Sequence, residues 1–192
     1  MTAPDDLPVL AFPDQAAFEA WLETNHETAP GLYVKIAKKG AGEPSLSQAE
    51  MVESLLCFGW IDGRVNRLDD THFLTRVTPR RPTSVWSKRN VEWVGRLLEA
   101  GRMRPAGLAA VEAAQADGRW DRAYAGPATI TVPDDLAAAL AAEPAAQKTF
   151  DGLSGTNRYA VLYRVHTAAT PQTRAKRIAT FVQMLAEGRT PY

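Results

Sequence analysis

The sequence predicts an α+β fold, with a small antiparallel sheet and flanking helices followed by a C-terminal helical module. Three observations predict it. Apolar residues recur at helical spacing over much of the chain, stretches between residues 31 and 80 alternate as strands do, and helical patterns dominate after residue 133. The connector 120–133 contains glycine and two prolines. We therefore expect an α+β domain over 1–127 and a module over 128–192 docked on it.

The first elements show clear boundary residues. Residues 14–25 predict an amphipathic helix that Asp14 caps. Residues 31–40 alternate and are bounded by glycines, which predicts a strand. Ser47, with Glu50 three residues later, is the capping box of a second helix.

The stretch "WIDGRVNRLDDTHFLTRVTPR" predicts a hairpin with an odd-length loop. Pairing Ile61 with Val77 brings its apolar residues onto one face, because side chains alternate along a strand. The same register places Asp62 opposite Arg76, and Trp60 opposite Thr78, on the polar face. We therefore expect the Asp62 and Arg76 side chains to lie in contact.

Six helices are expected after the hairpin, and the last of them has Thr170 as its cap, Pro171 at its first position and Gly188 as its stop. The third begins at Thr83 or Ser84, and the fourth has a proline in its first turn. The third helix is expected to bury Val91, Val94, Leu97 and Leu98. Within the C-terminal module, the residues expected to pack together include Leu136, Leu140, Phe150, Leu162, Ile178, Phe181 and Leu185.

The formal net charge of zero conceals an uneven distribution. Residues 1–63 contain ten acidic and three basic residues, whereas residues 64–104 contain four acidic and ten basic ones. A basic segment of this kind attracts anions, but it can equally pair with an acidic part of the same chain. The sequence leaves both interpretations open.

Several classes of protein and site are not indicated. The N-terminus lacks the basic region of a secretory signal, and no apolar run reaches the length of a membrane span, so we expect a cytoplasmic protein. The single cysteine, Cys57, lies in an apolar stretch and is expected to be a buried, unreactive thiol. The histidines His26, His72 and His166 show no metal-ligand spacing, and no phosphate-binding glycine loop occurs. We expect neither a metal nor a cofactor.

Residues 60–90 contain the candidate ligand-binding site. Arginines offer planar donors to a carboxylate or phosphate, a helix beginning at Ser84 would add free N–H groups, and two tryptophans would form an apolar wall. The alternatives are core packing for the tryptophans, an ion pair for Asp62 and Arg76, and a solvated surface for the two arginines of "PRRP". The candidate residues are Trp60, Asp62, Arg76, Arg80, Arg81, Ser84, Trp86, Ser87, Lys88 and Asn90.

The segments "LCFGWIDGRVNRLDD", "TPRRPTSVWSKRN" and "GRMRPAGLAAVEAAQADGRW" resemble the YdeI/OmpD-associated family of bacteriocin-protection proteins, and "LSGTNRYAVLYRVHTAATPQTRAKRIATFVQML" resembles its C-terminal helical module. The resemblance implies a frataxin-like or YjbR-like shape for the N-terminal part. Arg174 and Arg177 match the family pattern, whereas Ala169 and Gln172 depart from it.

Three functions fit these observations. The first is a cytoplasmic stress- or antimicrobial-tolerance protein, as the resemblance implies, which binds a small anionic or aromatic ligand in the Arg/Trp-lined site and catalyses no reaction. The second is an enzyme that uses Asp62 as acid or base in the same pocket. The third is a nucleic-acid-binding protein that uses the basic stripe 76–104. The sequence pI of 6.8 is low for a dedicated nucleic-acid-binding domain.

Overall fold

Four strands form one mixed sheet in the computed structural model, which describes residues 6–192. The strands are β1 Val9–Ala11, β2 Leu32–Ala37, β3 Trp60–Arg67 and β4 His72–Pro79, and they lie in the order β1-β2-β4-β3. β1 pairs with β2 in parallel, while the other neighbours are antiparallel. The α+β prediction is confirmed. The prediction of a purely antiparallel sheet is wrong at one edge, because a three-residue strand is too short to show an alternating pattern.

Eight helices accompany the sheet within the described residues. They are α1 Gln15–Asn25, α2 Gln48–Cys57, α3 Lys88–Glu99, α4 Pro105–Ala116, α5 Asp134–Ala141, α6 Pro144–Asp151, α7 Gly155–His166 and α8 Pro171–Ala186. The predicted caps are confirmed. The Asp14 side chain accepts a hydrogen bond from the backbone of Ala17 at 2.8 Å, and Ser47 and Glu50 form the reciprocal capping box.

Helix α3 differs from its prediction at its start and on one face. It begins at Lys88, so the predicted start at Thr83 or Ser84 is wrong. Val94 and Leu97 are buried as predicted. Leu98 was also predicted to be buried, but it is 47% exposed. Adjacent residues lie about 100° apart around a helix, so only one of two neighbouring leucines faces the core here.

The hairpin exists, but its predicted register is wrong. Ile61 pairs with Thr78 rather than Val77, and the register shifts at a bulge between Asp62 and Val65. The loop between the strands spans residues 68–71 and therefore has four residues. A bulge adds one residue to one strand, so no single register satisfies the alternation on both sides of it.

The described residues divide into two compact units. The first extends up to Ser84 and includes Asn90–Trp120, and the second comprises Val85–Arg89 and Asp121–Tyr192. In the first unit the sheet and the helices α1, α2 and α4 supply buried residues. The largest fully buried side chains of this unit include Trp60, Phe18, Phe58, Leu22, Leu32, Ile36, Leu46, Met51, Leu55 and Leu56.

Helix α4 begins directly against the end of α2. A Cβ atom added to Gly107 would lie 2.2 Å from the carbonyl oxygen of Cys57 and 2.7 Å from that of Leu56. These oxygens are backbone atoms and cannot rotate away, so only glycine fits at this position.

Part of the basic middle segment pairs with the acidic N-terminal third. The Arg102 guanidinium donates to Glu19 and Glu53 at 2.8 Å each, which joins α1 and α2 to the loop before α4. Arg104 forms an ion pair with Glu23, also at 2.8 Å. Internal pairing therefore accounts for some of the uneven charge.

The second unit is a helical module with its own core. All seven residues predicted to pack together lie in one buried cluster, which also contains Ala146, Val161 and Val165. The predicted boundaries of α8 are confirmed as well: Thr170 caps it, Pro171 is its first residue, and Gly188 follows its end with a positive φ of 71°. None of the helices in residues 6–192 has the length and apolar character needed to cross a bilayer.

Candidate functional site

The predicted ligand-binding residues fall in both compact units. Trp86, Ser87 and Lys88 belong to the second unit, and the other seven belong to the first.

Trp60 is a core residue. Only 1% of its surface is exposed, its indole N–H donates to the carbonyl oxygen of His26 at 3.1 Å, and its ring meets Trp21 edge-on at 5.8 Å. The prediction that Trp60 lies on the polar face of the hairpin is therefore wrong. Packing against α1 satisfies both the ring and its polar atom.

Asp62 and Arg76 lie on opposite faces of the sheet. Asp62 pairs with Val77, and partners in a sheet share a face, so Arg76 points to the other side. There Arg76 forms an ion pair with Asp6 at 3.5 Å. The predicted contact between Asp62 and Arg76 is wrong, because the true register differs by one residue.

The "PRRP" segment forms a turn rather than the start of a helix. The backbone N–H of Arg81 donates to the Ser84 hydroxyl at 3.0 Å, and that of Ser84 donates to the Arg81 carbonyl at 2.9 Å. The prediction required the N–H of Ser84 to be a free donor at the start of a helix, but this N–H is used within the turn. Arg80 is fixed by Nε, which donates to the carbonyl of Trp60 at 3.2 Å, whereas the side chain of Arg81 is exposed.

Residues 85–89 run alongside Tyr124 in the second unit. Ser87 and Tyr124 form a parallel bridge, in which Tyr124 donates to the carbonyl of Trp86 at 3.0 Å and Lys88 donates to that of Tyr124 at 2.9 Å. Trp86 is 1% exposed, and Lys88 is exposed. Asn90 is half-buried in the first turn of α3 and belongs to the first unit.

An open groove of about 740 Å³ lies in the helical module, between α5 and α8. Ile178 and Val182 form its apolar floor. The side chains along it are mostly small, namely Ala139, Ala175, Ala179 and Ala186. Small side chains let another backbone approach closely, so the groove suits the face of a helix.

Acidic and polar side chains border this groove. At one end Arg174 donates from Nε and Nη2 to the two carboxylate oxygens of Asp135, at 2.5 and 2.8 Å, and from Nη1 to the carbonyl of Val165. These bonds hold the pKa of Asp135 below its ordinary value. Glu143 is exposed, and its carboxylate forms no ion pair with any residue of the described chain. The groove thus has one uncompensated negative charge.

Sequence reasoning did not identify this groove. The stripe of α8 that contains Ile178 was predicted to be core, and Ile178 is indeed buried, with 8% of its surface exposed. The missed signal is the series of alanines at positions 175, 179 and 186, which continue along α8 where larger side chains would have filled the surface.

The remaining reactive groups have structural roles. Cys57 is 1% exposed, and burial raises the pKa of its thiol to about 11, so it stays protonated near neutral pH. The expectation of a buried, unreactive thiol agrees with this geometry. Asp69 accepts hydrogen bonds from the backbone N–H groups of Thr71 and His72, at 2.8 and 2.7 Å, which lower its pKa and close the hairpin loop. No cluster of metal-ligating side chains occurs in the described part of the chain.

Two family models match the chain. The model described as a domain of unknown function, DUF8412, matches residues 10–110, and the model described as "Bacteriocin-protection, YdeI or OmpD-Associated" matches residues 129–188. The second match agrees with the resemblance that the sequence shows. No curated protein and no solved structure matches the chain.

Proposed function

We propose that this chain, which belongs to the DUF8412 family and carries a YdeI/OmpD-associated bacteriocin-protection module over residues 129–188, is a cytoplasmic stress- and bacteriocin-tolerance protein that acts by binding. The DUF8412 model covers more than half of the chain. A single buried cysteine supports a reducing compartment. The frataxin-like or YjbR-like shape of the N-terminal part belongs to the same proposal.

The observation that carries the proposal is the groove between α5 and α8. Its apolar floor and alanine lining fit the apolar stripe of an amphipathic helix. Its charge favours a basic occupant, because the Glu143 carboxylate lines it and has no ion-pair partner among the described residues. The other carboxylate of the lining, that of Asp135, is neutralised by Arg174.

The occupant is therefore a cationic amphipathic peptide that folds as a helix on binding. Membrane-active antimicrobial peptides have this pattern, with Lys and Arg on one face and large apolar residues on the other. A protein that covers the apolar face of such a peptide would keep it away from a membrane. This action connects the groove with the description of the module's family.

The test uses the full chain and a fluorescent, lysine-rich amphipathic peptide, with binding followed by anisotropy. Ala179→Arg places a long positive side chain in the groove and is expected to weaken binding by about tenfold. Ala137→Arg is the matched control, because Ala137 is exposed on α5 and does not line the groove.

A scrambled peptide of the same composition separates groove binding from simple charge attraction, since it keeps the charge and loses the apolar stripe. Equal affinity of the wild type and Ala179→Arg for the amphipathic peptide would disprove the proposed groove. A small apolar molecule that binds while the peptide does not would replace the peptide as occupant.

A second candidate is the predicted site for a small anionic or aromatic ligand. The turn at Arg81–Ser84 favours it, because its reciprocal hydrogen bonds fix the backbone while the Arg81 side chain is exposed. A ligand at 100 times its Kd raises the unfolding free energy by about 2.7 kcal/mol.

Phosphate, sulfate and carboxylates are compared at matched ionic strength, with the melting temperature as readout. Arg81→Ala should abolish a specific gain, whereas Arg64→Ala, on the exposed part of β3, removes the same charge as a control. Arg80 is left unchanged because its side chain bonds to the Trp60 carbonyl. A short DNA duplex tests the nucleic-acid alternative at residues 76–104, and the enzyme alternative with Asp62 stays a prediction.

A further inference from the structure

A small cavity lies on the sheet of the first unit, apart from the features described above. Its volume is about 170 Å³, below the roughly 300–1,000 Å³ of ordinary ligand pockets. Lys35 and His72 both line it. His72 pairs with Ala37, and Ala37 lies two residues from Lys35 on β2, so both side chains stand on the same face of the sheet.

The walls of this cavity are tied together by hydrogen bonds. The backbone N–H of Leu46 donates to the carbonyl of Phe12 at 2.9 Å, which joins the segment after β2 to the end of β1. The N–H of Ala37 donates to the Ser45 hydroxyl at 3.0 Å. Phe12 and Ser45 also line the cavity, so two of its sides are held in place.

His72 is positioned with one ring nitrogen toward the cavity. Its Nδ1 lies 3.2 Å from Oδ1 of Asp69, and its Nε2 contacts a carboxylate oxygen of Glu43. The side chain is 12% exposed. The Thr71 hydroxyl lies 2.9 Å from the same Nδ1. Carboxylate oxygens only accept hydrogen bonds, so Nε2 of His72 carries the proton that it donates to Glu43.

Lys35 adds a positive group. Its ammonium forms neither an ion pair nor a hydrogen bond to any residue in 6–192. Lys38, the next basic residue, is occupied, because it donates to the carbonyl oxygens of Asp69 and Asp70 at 2.8 and 3.2 Å. The groups that line the cavity thus include the Lys35 ammonium, the Nε2–H donor of His72 and the carboxylate of Glu43.

Glu43 reaches His72 from an exposed loop. Gly40 and Gly42 precede it with φ angles of 92° and 80°, and a Cβ atom at either glycine would meet nothing within 4 Å. The Glu43 side chain is 52% exposed. Among the described residues, only His72 is bonded to its carboxylate, so the carboxylate can leave that position without disturbing packed side chains.

We propose that this cavity binds a small carboxylate, and that Glu43 occupies the position of the ligand's carboxylate when none is bound. The incoming carboxylate accepts from Nε2 of His72 and from the ammonium of Lys35, and Glu43 moves into solvent. The volume limits the ligand to a few non-hydrogen atoms beyond the carboxylate, which contact Phe12 and the nearby prolines.

The experiment titrates the full chain with sodium acetate at constant ionic strength, balanced with sodium chloride, and follows the His72 ring signals by NMR. His72→Gln assigns these signals among the three histidines. Glu43→Ala removes the internal competitor and should bind acetate about tenfold more tightly than the wild type. Adding Lys35→Met to Glu43→Ala should weaken binding by about tenfold, whereas adding Lys39→Met should not, because Lys39 is exposed in the same loop and does not line the cavity.

Acetate shifts in Glu43→Ala no larger than those in chloride alone would overturn the proposal and leave the Glu43–His72 contact as a loop tether. Equal effects of Lys35→Met and Lys39→Met would also overturn it, because they would indicate general charge attraction. If Glu43→Ala rearranges the loop, seen in the amide signals of Gly40 and Gly42, the same titration of Glu43→Gln decides between these outcomes.

Discussion

Thr75 places a buried hydroxyl group at the centre of the sheet, among apolar side chains. Its side chain is fully buried, and its Oγ1 has no hydrogen-bond partner in residues 6–192. Its partners on the neighbouring strands are Val34 and Val65, both apolar. A buried hydroxyl that exchanges water for no other partner lowers stability.

We predict that Thr75→Val raises the free energy of unfolding by about 1 kcal/mol, because valine has nearly the same shape and no hydroxyl. Thr75→Ala, which also removes the methyl group, should lower it by about 1 kcal/mol by leaving a cavity. Urea unfolding measures both. A valine variant less stable than the wild type would show that the hydroxyl has a partner.

Local signals of the helices were predictable, whereas contacts between distant segments were not. Asp14, Ser47 and Thr170 cap their helices as expected, because a cap depends only on residues three positions away. The predicted hairpin register is wrong, because the alternation of apolar and polar residues gives no sign of the bulge after Asp62. The wrong register led to two wrong predictions, the position of Trp60 on the polar face and the contact of Asp62 with Arg76.

The candidate sites depended on tertiary structure even more strongly. The groove requires α5 and α8 to lie side by side, although 29 residues separate the end of α5, Ala141, from the start of α8, Pro171. The contact between Glu43 and His72 joins residues 29 positions apart. Spacing along the chain carries no signal for such pairs, so sequence reasoning favoured the basic stretch 76–90, where the relevant residues are neighbours.

The junction of α2 and α4 gives a prediction about helix packing. Gly107→Ala should lower the free energy of unfolding by about 3 kcal/mol, because its Cβ would meet the carbonyl of Cys57. Gly95→Ala is the matched control: Gly95 is exposed within α3, and a Cβ there meets nothing within 4 Å. It should raise stability by about 0.5–1 kcal/mol through higher helix propensity. Thermal or urea unfolding measures the stability of both variants. A change in the same direction for both would contradict this packing.

The pair of Asp135 and Arg174 gives a pH-dependent prediction for α5 and α8. Arg174 lowers the pKa of Asp135 from its ordinary value of 3.8, so the pair's stabilisation is present above pH 4 and is lost as the pH falls. Asp135→Asn should lower the melting temperature at pH 7 by about 2 °C, a small effect because the carboxylate is half-exposed. The difference from the wild type should narrow below about pH 4. Asp134→Asn serves as control, and a difference that stays constant down to pH 2 would contradict the assignment.

At the scale of the whole molecule, the chain passes between the two compact units more than once. The chain leaves the first unit at Val85, contributes five residues to the second, returns at Asn90, and enters the second unit again at Asp121. The predicted boundary after residue 127 follows composition, which does not reveal a short segment that belongs to another unit. Residues 85–89 carry two backbone hydrogen bonds to Tyr124.

We predict that a fragment 121–192 is less stable than the same fragment with residues 85–89 joined to its N-terminus by a flexible glycine-serine linker. The added segment restores the pairing with Tyr124, and each backbone hydrogen bond contributes about 1 kcal/mol. Circular dichroism melts compare the two fragments. A linked segment of scrambled sequence is the control, and identical melting of all three would show that residues 85–89 are dispensable for the module.

The strand order also has a consequence for synthesis on the ribosome. β4 is the last strand to be made, yet it lies between β2 and β3 and pairs with both. Until Pro79 has emerged, β2 has one open edge and β3 has no partner, so both present unpaired backbone groups to other nascent chains. Protection by a chaperone should therefore matter most while residues 32–79 are being translated, and slower translation across β4 should increase aggregation more than slower translation across α8.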